Sequence, residues 1–299
     1  MQFFEQSLSE ICKENDITAT KFCDGYCYKL SKNNKSMFIY NNVFENNGAS
    51  IYKILKDKSA VFEILTANSI PSVEHYYISP LDTASSVEAE LSSFFKKYGK
   101  LVLKHNEGMS GTNVFYVDNY NDLITISNKI IDQFGAVSLS PFYDIKHEYR
   151  IVVLNNKVEL VYDKIRPTVV GNGKDTLSQL IRANYPNLKT FDKNLNLQSV
   201  PAKNEQIILS WRHNLNFGST PKIIDDKVII KKLSKIALSA AKTLNINYAC
   251  IDIIETNSNE LKVLEINGSV SMGKFASFSK QNYQTAKGII QKAILSKFS

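Results

Sequence analysis

The segment from Tyr248 to Asn267 constrains the fold most, because it places polar side chains inside two short apolar runs. Both runs are rich in Ile, Val and Leu, and the polar residues between them predict a hairpin of two buried strands. Glu265 and Asn267 lie two residues apart and share one strand face, and Asp252 lies on the other strand. Buried carboxylates are usually paired or metal-bound. The three side chains therefore predict a Mg²⁺ site that phosphates and water complete, with polar strand ends as the alternative interpretation.

Composition limits the class of protein. A chain of 299 residues with sparse Gly and Pro is globular and long enough for one large or two medium domains. The formal net charge of +7 favours an anionic ligand, or only a soluble surface, and the basic clusters are too short for a nucleic-acid track. The four cysteines have no metal-finger spacing, and there is no signal peptide or membrane-length apolar run. We therefore expect a cytoplasmic protein with reduced thiols and neither a nucleic-acid nor a membrane partner.

Residues 1–55 predict a small N-terminal unit of one helix, Phe3–Lys13, and three short strands with a hairpin turn at Asp24-Gly25. The Asn- and Gly-rich run 41–50 is expected to be a loop. Residues 51–69 predict one helix that Pro71 follows. Taken alone, Lys58 in this helix is expected to be an exposed surface lysine.

A strand that ends in Lys104 leads into a loop with Gly108, Ser110 and Gly111, and Val114–Val117 forms the next strand. Two glycines three residues apart allow backbone N–H groups to close over phosphate oxygens, and the lysine adds a positive charge. The alternative is an ordinary hairpin loop. The loop matches neither a Walker A motif nor a dinucleotide fingerprint.

Beyond an amphipathic helix that Asn121 is expected to cap, residues 137–143 predict an extended linker with aromatic groups. A strand with Glu148 and Arg150 follows, and Arg166 comes just after the next strand. Guanidinium groups bind carboxylate and phosphate oxygens in a bidentate manner, so the two arginines favour anion binding. Surface salt bridges are the alternative.

The order of these motifs is more specific than any one of them. Lys58 and Lys104 with the Gly-rich loop precede Glu148-Tyr-Arg150, and Arg166-Pro with Gly171-Asn-Gly173 follows. The chain then carries Asn214-Leu-Asn-Phe-Gly218 and ends with the Asp…Glu-x-Asn pattern of the hairpin. Over residues 50–299 this order resembles the ATP-grasp carboxylate–amine ligases. It is most similar to the ATP-grasp half of bifunctional glutathione synthetases and to cyanophycin synthetases, with ribosomal-protein glutamate ligases more distant.

The resemblance implies an α+β, ATP-grasp fold in which two subdomains, residues 56–135 and 136–299, enclose ATP behind the small N-terminal α/β unit. It implies catalytic roles at the γ-phosphate and acyl group for Arg150, Arg166, Arg212 and Asn214. It assigns nucleotide binding to Lys58, Lys104, Gly108, Met109, Ser110, Gly111, Ser140, Pro141, Phe142, Tyr143 and Glu148. It assigns two Mg²⁺ ions, with Mn²⁺ as an alternative, to Asp252, Glu265 and Asn267.

The activity implied is an ADP-forming ligase that joins a carboxylate to an amine, on amino acids or short peptides, through an acyl phosphate. A homodimer is compatible with the resemblance, and a non-catalytic nucleotide-binding module or an ATP-grasp kinase is the alternative. Three positions depart from the family pattern. Ser140-Pro141 replaces a usual Glu, Asn172 replaces an Asp, and Gly268-Ser269 replaces a Pro-Gly turn.

Overall fold

The computed structural model describes residues 2–79, 81, 84–108, 111 and 113–299. Its first part is an antiparallel sheet with the strand order β1-β2-β3-β4, packed on a helix. Asp24 and Gly25 both have positive φ in the turn between β1 and β2, as the sequence predicts. The predicted loop at 41–50 is wrong at four residues, because Val43 and Phe44 pair with β3 and the last two residues begin a helix. The elements are α1 Gln2–Glu14, β1 Thr18–Phe22, β2 Cys27–Lys32, β3 Lys35–Tyr40 and β4 Val43–Phe44.

The single helix predicted over residues 51–69 is wrong. The chain forms α2 Ala49–Ile54 and α3 Lys58–Ala67, with a break between them. The break has a local cause, because the Asp57 carboxylate accepts a hydrogen bond from Ala60 N at 3.0 Å and caps a new helix. As a result, Lys58 is the first residue of α3 and not a surface residue within a longer helix.

The middle sheet has the strand order β5-β8-β6-β7 and packs against two helices. The linker predicted over residues 137–143 is instead a central strand, β8, with all five residues buried between β5 and β6. Pro141 is tolerated because it is the last residue of this strand. Asn119, not Asn121, caps α5 by accepting from Asp122 N at 2.9 Å. The elements are β5 Tyr76–Ile78, α4 Ala84–Tyr98, β6 Leu101–His105, β7 Val114–Val117, α5 Tyr120–Phe134 and β8 Val137–Pro141.

The large sheet has the strand order β13-β10-β9-β14-β15, and its last two strands are the hairpin predicted from the sequence. A ribbon of β11 and β12 lies outside it and packs on α6. The elements are β9 Ile145–Leu154, β10 Lys157–Ile165, β11 Thr168–Val170, α6 Leu177–Asn184, β12 Gln206–Ile208, β13 Thr220–Ile223, α7 Lys227–Thr243, β14 Tyr248–Thr256, β15 Leu261–Asn267, α8 Gly273–Ala276 and α9 Lys280–Leu295.

The large sheet is covered on both faces, which explains its apolar central strands. Ile151 and Val153 of β9 face a core shared with α3 and α7. Val152 and Leu154 point the other way, into a core shared with α1, the N-terminal sheet and α9. Alternate residues of one strand therefore serve two separate cores.

The predicted α+β class is confirmed. The division into residues 1–55, 56–135 and 136–299 stays a prediction, because the N-terminal sheet shares its core with α9, and α3 packs on the large sheet. Among the described residues, no helix has the length and apolar character needed to cross a membrane.

The shared core predicts that a cavity in the N-terminal sheet weakens the whole fold. Leu30 is fully buried, so Leu30→Ala should lower the free energy of unfolding by about 2–5 kcal/mol. The same substitution at Leu81, which is 92% exposed, should change it by less than about 0.5 kcal/mol. Denaturant unfolding followed by circular dichroism measures both. A Leu30→Ala variant that unfolds residues 1–55 in a separate early transition would contradict the shared core.

Candidate active site

A row of polar side chains crosses one face of the large sheet. In register, Tyr162 of β10 lies opposite Arg150 of β9, Arg150 opposite Asp252 of β14, and Asp252 opposite Glu265 of β15. Directly opposite residues on neighbouring strands point to the same face. A β-bulge after Glu265↔Asp252 shifts the register, so that Val263 pairs with the next residue of β14. The bulge places Glu265 on the polar face while Val263 stays in the core with α3 and α7.

Four side chains on this face form a closed set of ion pairs, which we call the buried quartet: Glu148, Arg150, Lys164 and Asp252. Arg150 donates from Nε and Nη2 to the two Asp252 carboxylate oxygens at 2.8 and 2.7 Å. Lys164 Nζ lies 2.9 Å from Asp252 Oδ2 and 2.5 Å from Glu148 Oε1. Two positive and two negative charges thus balance in the interior.

Burial and charge act against each other within the buried quartet. Burial alone would raise the pKa of Asp252, but the Arg150 and Lys164 cations outweigh it and hold that pKa well below its usual range. Burial and Arg150 oppose the charge on Lys164, yet the two carboxylates raise the pKa of this amine. For Glu148, burial dominates and raises the pKa despite the ion pair with Lys164.

A cleft lies beside β15. Its wall combines the start of α3, the segment before β5, the Gly-rich loop and the end of β15. The polar residues that line it include Lys58, His75, Glu107, Glu265, Asn267 and Ser269. Lys104, which lies on β6, is close enough to Glu265 and Glu148 for their charges to affect its pKa. The cleft therefore contains Lys58 and the oxygen donors of β15, and Lys104 lies within charge range of Glu265.

Both lysines are held in surroundings that disfavour their charge. Lys58 Nζ donates to the carbonyls of Asn106 and Gly108, each at 2.8 Å, and so ties α3 to the Gly-rich loop. Burial lowers the pKa of Lys58 to about 8, with Glu265 opposing the shift and Lys104 adding to it. Burial also lowers the pKa of Lys104. An anion between the two amines would relieve their mutual repulsion.

The Gly-rich loop closes on the segment that precedes β13. A Cβ at Gly111, where φ is +72°, would lie 2.8 Å from Asn214 Nδ2, so glycine is required for this contact. Arg212 Nη2 donates to the carbonyl of Val114 at 2.8 Å. Gly111 thus lies beside Asn214, and Arg212 is tied to the strand that follows the loop. The loop residues Met109 and Ser110 lie outside the described residues.

The residues expected to frame the adenine lie at the end of β8. Ser140 is buried, with Oγ 3.5 Å from the Val102 carbonyl, and Pro141 is also buried. The Phe142 ring packs edge-on against Tyr116 and Trp211, with centroids 4.9 and 5.7 Å apart.

Two further residues assigned from the resemblance flank this region. Tyr143 lies 6.0 Å from the Lys262 amine. Arg166 follows β10 and is partly exposed.

Asp252, Glu265 and Asn267 carry the side-chain oxygens that Mg²⁺ prefers as ligands. Asn267 Nδ2 donates to Glu265 Oε1 at 3.0 Å, so these two side chains face one another and offer adjacent oxygens. Both Asp252 oxygens already pair with Arg150 or Lys164, and the role of Asp252 as a metal ligand stays a prediction. Among the described residues, no three His, Cys, Asp or Glu side chains converge on a metal position. Glu265 and Asn267 therefore fit an ion that phosphate and water also hold.

Sequence reasoning missed Lys164 and Trp211. The ion pairing of Lys164 was predictable, because a lysine inside an apolar strand is rarely buried unless it pairs with a carboxylate. A hydrogen bond of 2.9 Å from His213 Nδ1 to the Lys164 carbonyl supports the backbone at the same point. Trp211 carried no comparable signal, since its contact with Phe142 depends on the packing of distant segments.

The buried quartet predicts a pH-dependent loss when its shared cation is removed. Lys164→Met leaves Glu148 buried without a cation, and the free energy of unfolding should fall by about 3–5 kcal/mol at pH 7. Burial then keeps the pKa of Glu148 in the folded state above its pKa in the unfolded chain, which is about 4.3. The loss in free energy of unfolding is therefore complete above the folded-state pKa and disappears below the unfolded-state pKa. The loss should therefore shrink between pH 7 and pH 5 in urea unfolding.

Two variants control this experiment. Lys164→Met with Glu148→Gln should recover part of the stability, because no unpaired carboxylate remains. Lys157→Met lies on the same strand but is exposed, and should be nearly neutral. A Lys164→Met loss that is the same at both pH values would contradict the ion-pair explanation.

Comparison with known proteins agrees with this geometry. Residues 199–292, which include the β14–β15 hairpin, match the family model described as a RimK-like ATP-grasp domain. No curated protein sequence matches the chain.

Solved structures extend the likeness beyond that segment. A D-alanine–D-alanine ligase from Bacillus anthracis is similar with a TM-score of 0.54 and 17% identity, over 82% of this chain and 66% of that one. A bifunctional glutathione synthetase from Pasteurella multocida is similar with a TM-score of 0.59 and 14% identity, over 96% of this chain and 44% of that one. The ATP-grasp ligase PsnB, in complex with a precursor variant, Mg and ADP, gives a TM-score of 0.54 and 13% identity, over 85% and 62%.

This chain spans less than two thirds of each of these proteins. The resemblance stated from the sequence is confirmed at the level of the fold. The protein has the ATP-grasp fold, and its residues 199–292 match the RimK-like ATP-grasp domain.

Proposed function

We propose that this protein is an ATP-dependent carboxylate–amine ligase that forms an amide through an acyl phosphate. The observation that carries the proposal is the cleft beside β15, which Lys58 and Glu265 line, with Lys104 near enough for the Glu265 charge to affect its pKa. Two amines with pKa values lowered by burial, next to a carboxylate and an amide, are the surroundings that a metal-bound polyphosphate needs. The ATP-grasp fold and the names of the similar structures, which are ligases, support the same class of reaction.

In the first step, a substrate carboxylate oxygen attacks the γ-phosphorus of ATP. The bond from the γ-phosphorus to the bridging oxygen breaks, its electron pair leaves with ADP, and an acyl phosphate remains. Lys58 and Lys104 hold phosphate oxygens and stabilise the negative charge that moves toward ADP. Bound Mg²⁺, at Glu265 and Asn267, would neutralise part of the phosphate charge. Asp252 and a second ion belong to the same proposal.

In the second step, an amine nitrogen attacks the acyl carbon, and phosphate leaves with the electron pair of the C–O bond. The amine loses its proton to solvent or to the departing phosphate. Arg212 and Arg166 are the cations available to hold the tetrahedral intermediate, because the known contacts of Arg150 are made with Asp252. The catalytic roles of Arg150, Arg166, Arg212 and Asn214 are part of this proposal.

The substrates follow from the class of reaction. An amino acid or short peptide supplies the carboxylate, and a second one supplies the amine. The net charge of +7 suits acidic substrates and nucleotide. We also propose that the protein acts in the cytoplasm, where ATP is supplied, and a homodimer stays a prediction.

The decisive experiment traps the acyl phosphate. With MgATP and a panel of amino acids and short peptides, hydroxylamine should give a hydroxamate, read by mass spectrometry, together with ADP. Glu265→Gln should lower this rate by roughly a hundredfold or more, because a charged metal ligand is lost from a phosphoryl-transfer site. Glu260→Gln, a control on the exposed end of the same hairpin, should leave it unchanged.

Other outcomes separate the alternatives. ADP formation with a phosphate ester and no hydroxamate would replace the ligase with a kinase. Nucleotide binding with no turnover on any carboxylate of the panel would favour a non-catalytic binding module. Full activity of Glu265→Gln at ordinary magnesium would contradict the metal assignment.

The lowered pKa of Lys58 predicts how nucleotide affinity depends on pH. Since its pKa is about 8, the amine loses its charge above pH 8, and the Kd for MgATP should rise by up to about tenfold per pH unit. Lys58→Met should bind MgATP more weakly at pH 7 and flatten the rise between pH 8 and 9. Titration calorimetry measures both.

Lys53→Met removes an exposed lysine from α2 and is the matched control, with wild-type affinity expected. Normal ATP affinity in Lys58→Met would mean that Lys58 only anchors the Gly-rich loop through its two carbonyl contacts.

A further inference from the structure

His75 lies where the large and middle sheets meet. The chain before it runs beside β15, with Val73 N donating to the Val263 carbonyl at 2.8 Å and Val263 N to the Pro71 carbonyl at 2.9 Å. β5 starts at the next residue, so His75 is held by hydrogen-bonded backbone on both sides. Its side chain is 6% exposed and lines the cleft. A histidine so fixed has little freedom to turn away from a ligand.

One ring nitrogen of His75 is satisfied and the other is not. Nδ1 lies 3.0 Å from Ser138 Oγ, and Ser138 is fully buried directly opposite Lys104 in the β6–β8 register. Nε2 is buried without a hydrogen-bond partner among the described residues. The backbone of Leu264 lies beside the ring and raises the pKa of His75, against the larger effect of burial. A buried polar atom left unpaired calls for a ligand or a water molecule.

The charges around the ring indicate what that ligand is. Burial lowers the pKa of His75 well below its usual value, and the Lys104 and Lys58 cations lower it further. The ring is therefore neutral at pH 7, with one N–H donor and one acceptor nitrogen. Two cations near the ring favour the binding of an anion beside it. The Ser138 hydroxyl can bond to either tautomer of His75. It donates to Nδ1 when the ring proton is on Nε2, and it accepts from Nδ1 when the proton is on Nδ1.

We propose that His75 Nε2–H donates a hydrogen bond to an oxygen of the β- or γ-phosphate of ATP, and so positions the polyphosphate between Lys58 and Lys104. The inference rests on the proposed function and adds a neutral donor to its two cations. A neutral imidazole differs from a lysine, because its single N–H orients one phosphate oxygen without adding a positive charge. Ser138 fixes the ring and is a positioning residue for His75.

Two substitutions separate the two ring nitrogens. The side-chain amide of Asn reaches the position of Nδ1, and that of Gln reaches the position of Nε2. His75→Asn therefore keeps a partner for Ser138 and removes the donor toward the cleft. His75→Gln keeps a donor toward the cleft and gives up the contact with Ser138. A merely structural histidine predicts no such difference in nucleotide affinity.

Calorimetry with MgATP, ADP and AMP on the full chain tests the proposal. His75→Asn should weaken MgATP binding by roughly tenfold or more, because the lost hydrogen bond is to a charged acceptor. ADP binding should fall equally when that acceptor is on the β-phosphate and stay at the wild-type value when it is on the γ-phosphate. Its affinity for AMP, which lacks the β-phosphate, should stay at the wild-type value. His75→Gln should stay within about threefold of wild type for all three nucleotides. Thermal unfolding confirms that each variant is folded.

Each other outcome overturns the inference in a recognisable way. A folded His75→Asn variant with wild-type affinity for MgATP makes His75 a structural residue, whether or not its stability falls. An equal loss of AMP binding places the defect outside the polyphosphate. Wild-type protein that fails to bind MgATP overturns both this inference and the proposed function. Wild-type protein that binds MgATP but gives no hydroxamate overturns the ligase alone, and the His75 comparison is still decided by binding.

Discussion

Arg150 and Lys164 share the carboxylate of Asp252 inside the large sheet, where the loss of one partner would leave a buried charge uncompensated. The members of the buried quartet come from β9, β10 and β14, so the contacts form only when these strands pair in one register. A slip by one residue would turn the charges toward the core with α3 and α7. The quartet thus selects the strand pairing that also aligns Glu265 with the cleft.

Outside the buried quartet, Lys58 and Lys104 are cations whose pKa values are lowered by burial. Their surroundings already oppose protonation, so an entering polyphosphate gains from both amines without first breaking an internal salt bridge. Arg150 differs, because two of its N–H donors already form a bidentate pair with Asp252. The site therefore has two kinds of cation. Lys58 and Lys104 are the ones proposed to bind an anion, whereas Arg150 and Lys164 pair with Asp252 and stabilise the sheet.

The β14–β15 hairpin was predictable, because apolar runs and a polar gap are local properties of the sequence. The break before Lys58 and the strand at Val137–Pro141 were not recognised. The first depends on the cap by Asp57, and the second on neighbours far away in the chain. The ion pairs of Asp252 were also missed, since the sequence shows which charges are buried but not which cation reaches them. Pairing across strands is decided by register, and register is a tertiary property.

The core that α1 and the N-terminal sheet share with α9 joins the two ends of the chain. Leu30 and Ile39 belong to the same cluster as Ile290 and Ile294, roughly 250 residues later. Synthesis proceeds at about 5–20 residues per second. The apolar side of the N-terminal sheet therefore stays uncovered by α9 for roughly ten to fifty seconds after it is made. The nascent chain must stay soluble through that interval with an unfinished core, which makes the early strands the segment most exposed to misassembly or to capture by chaperones.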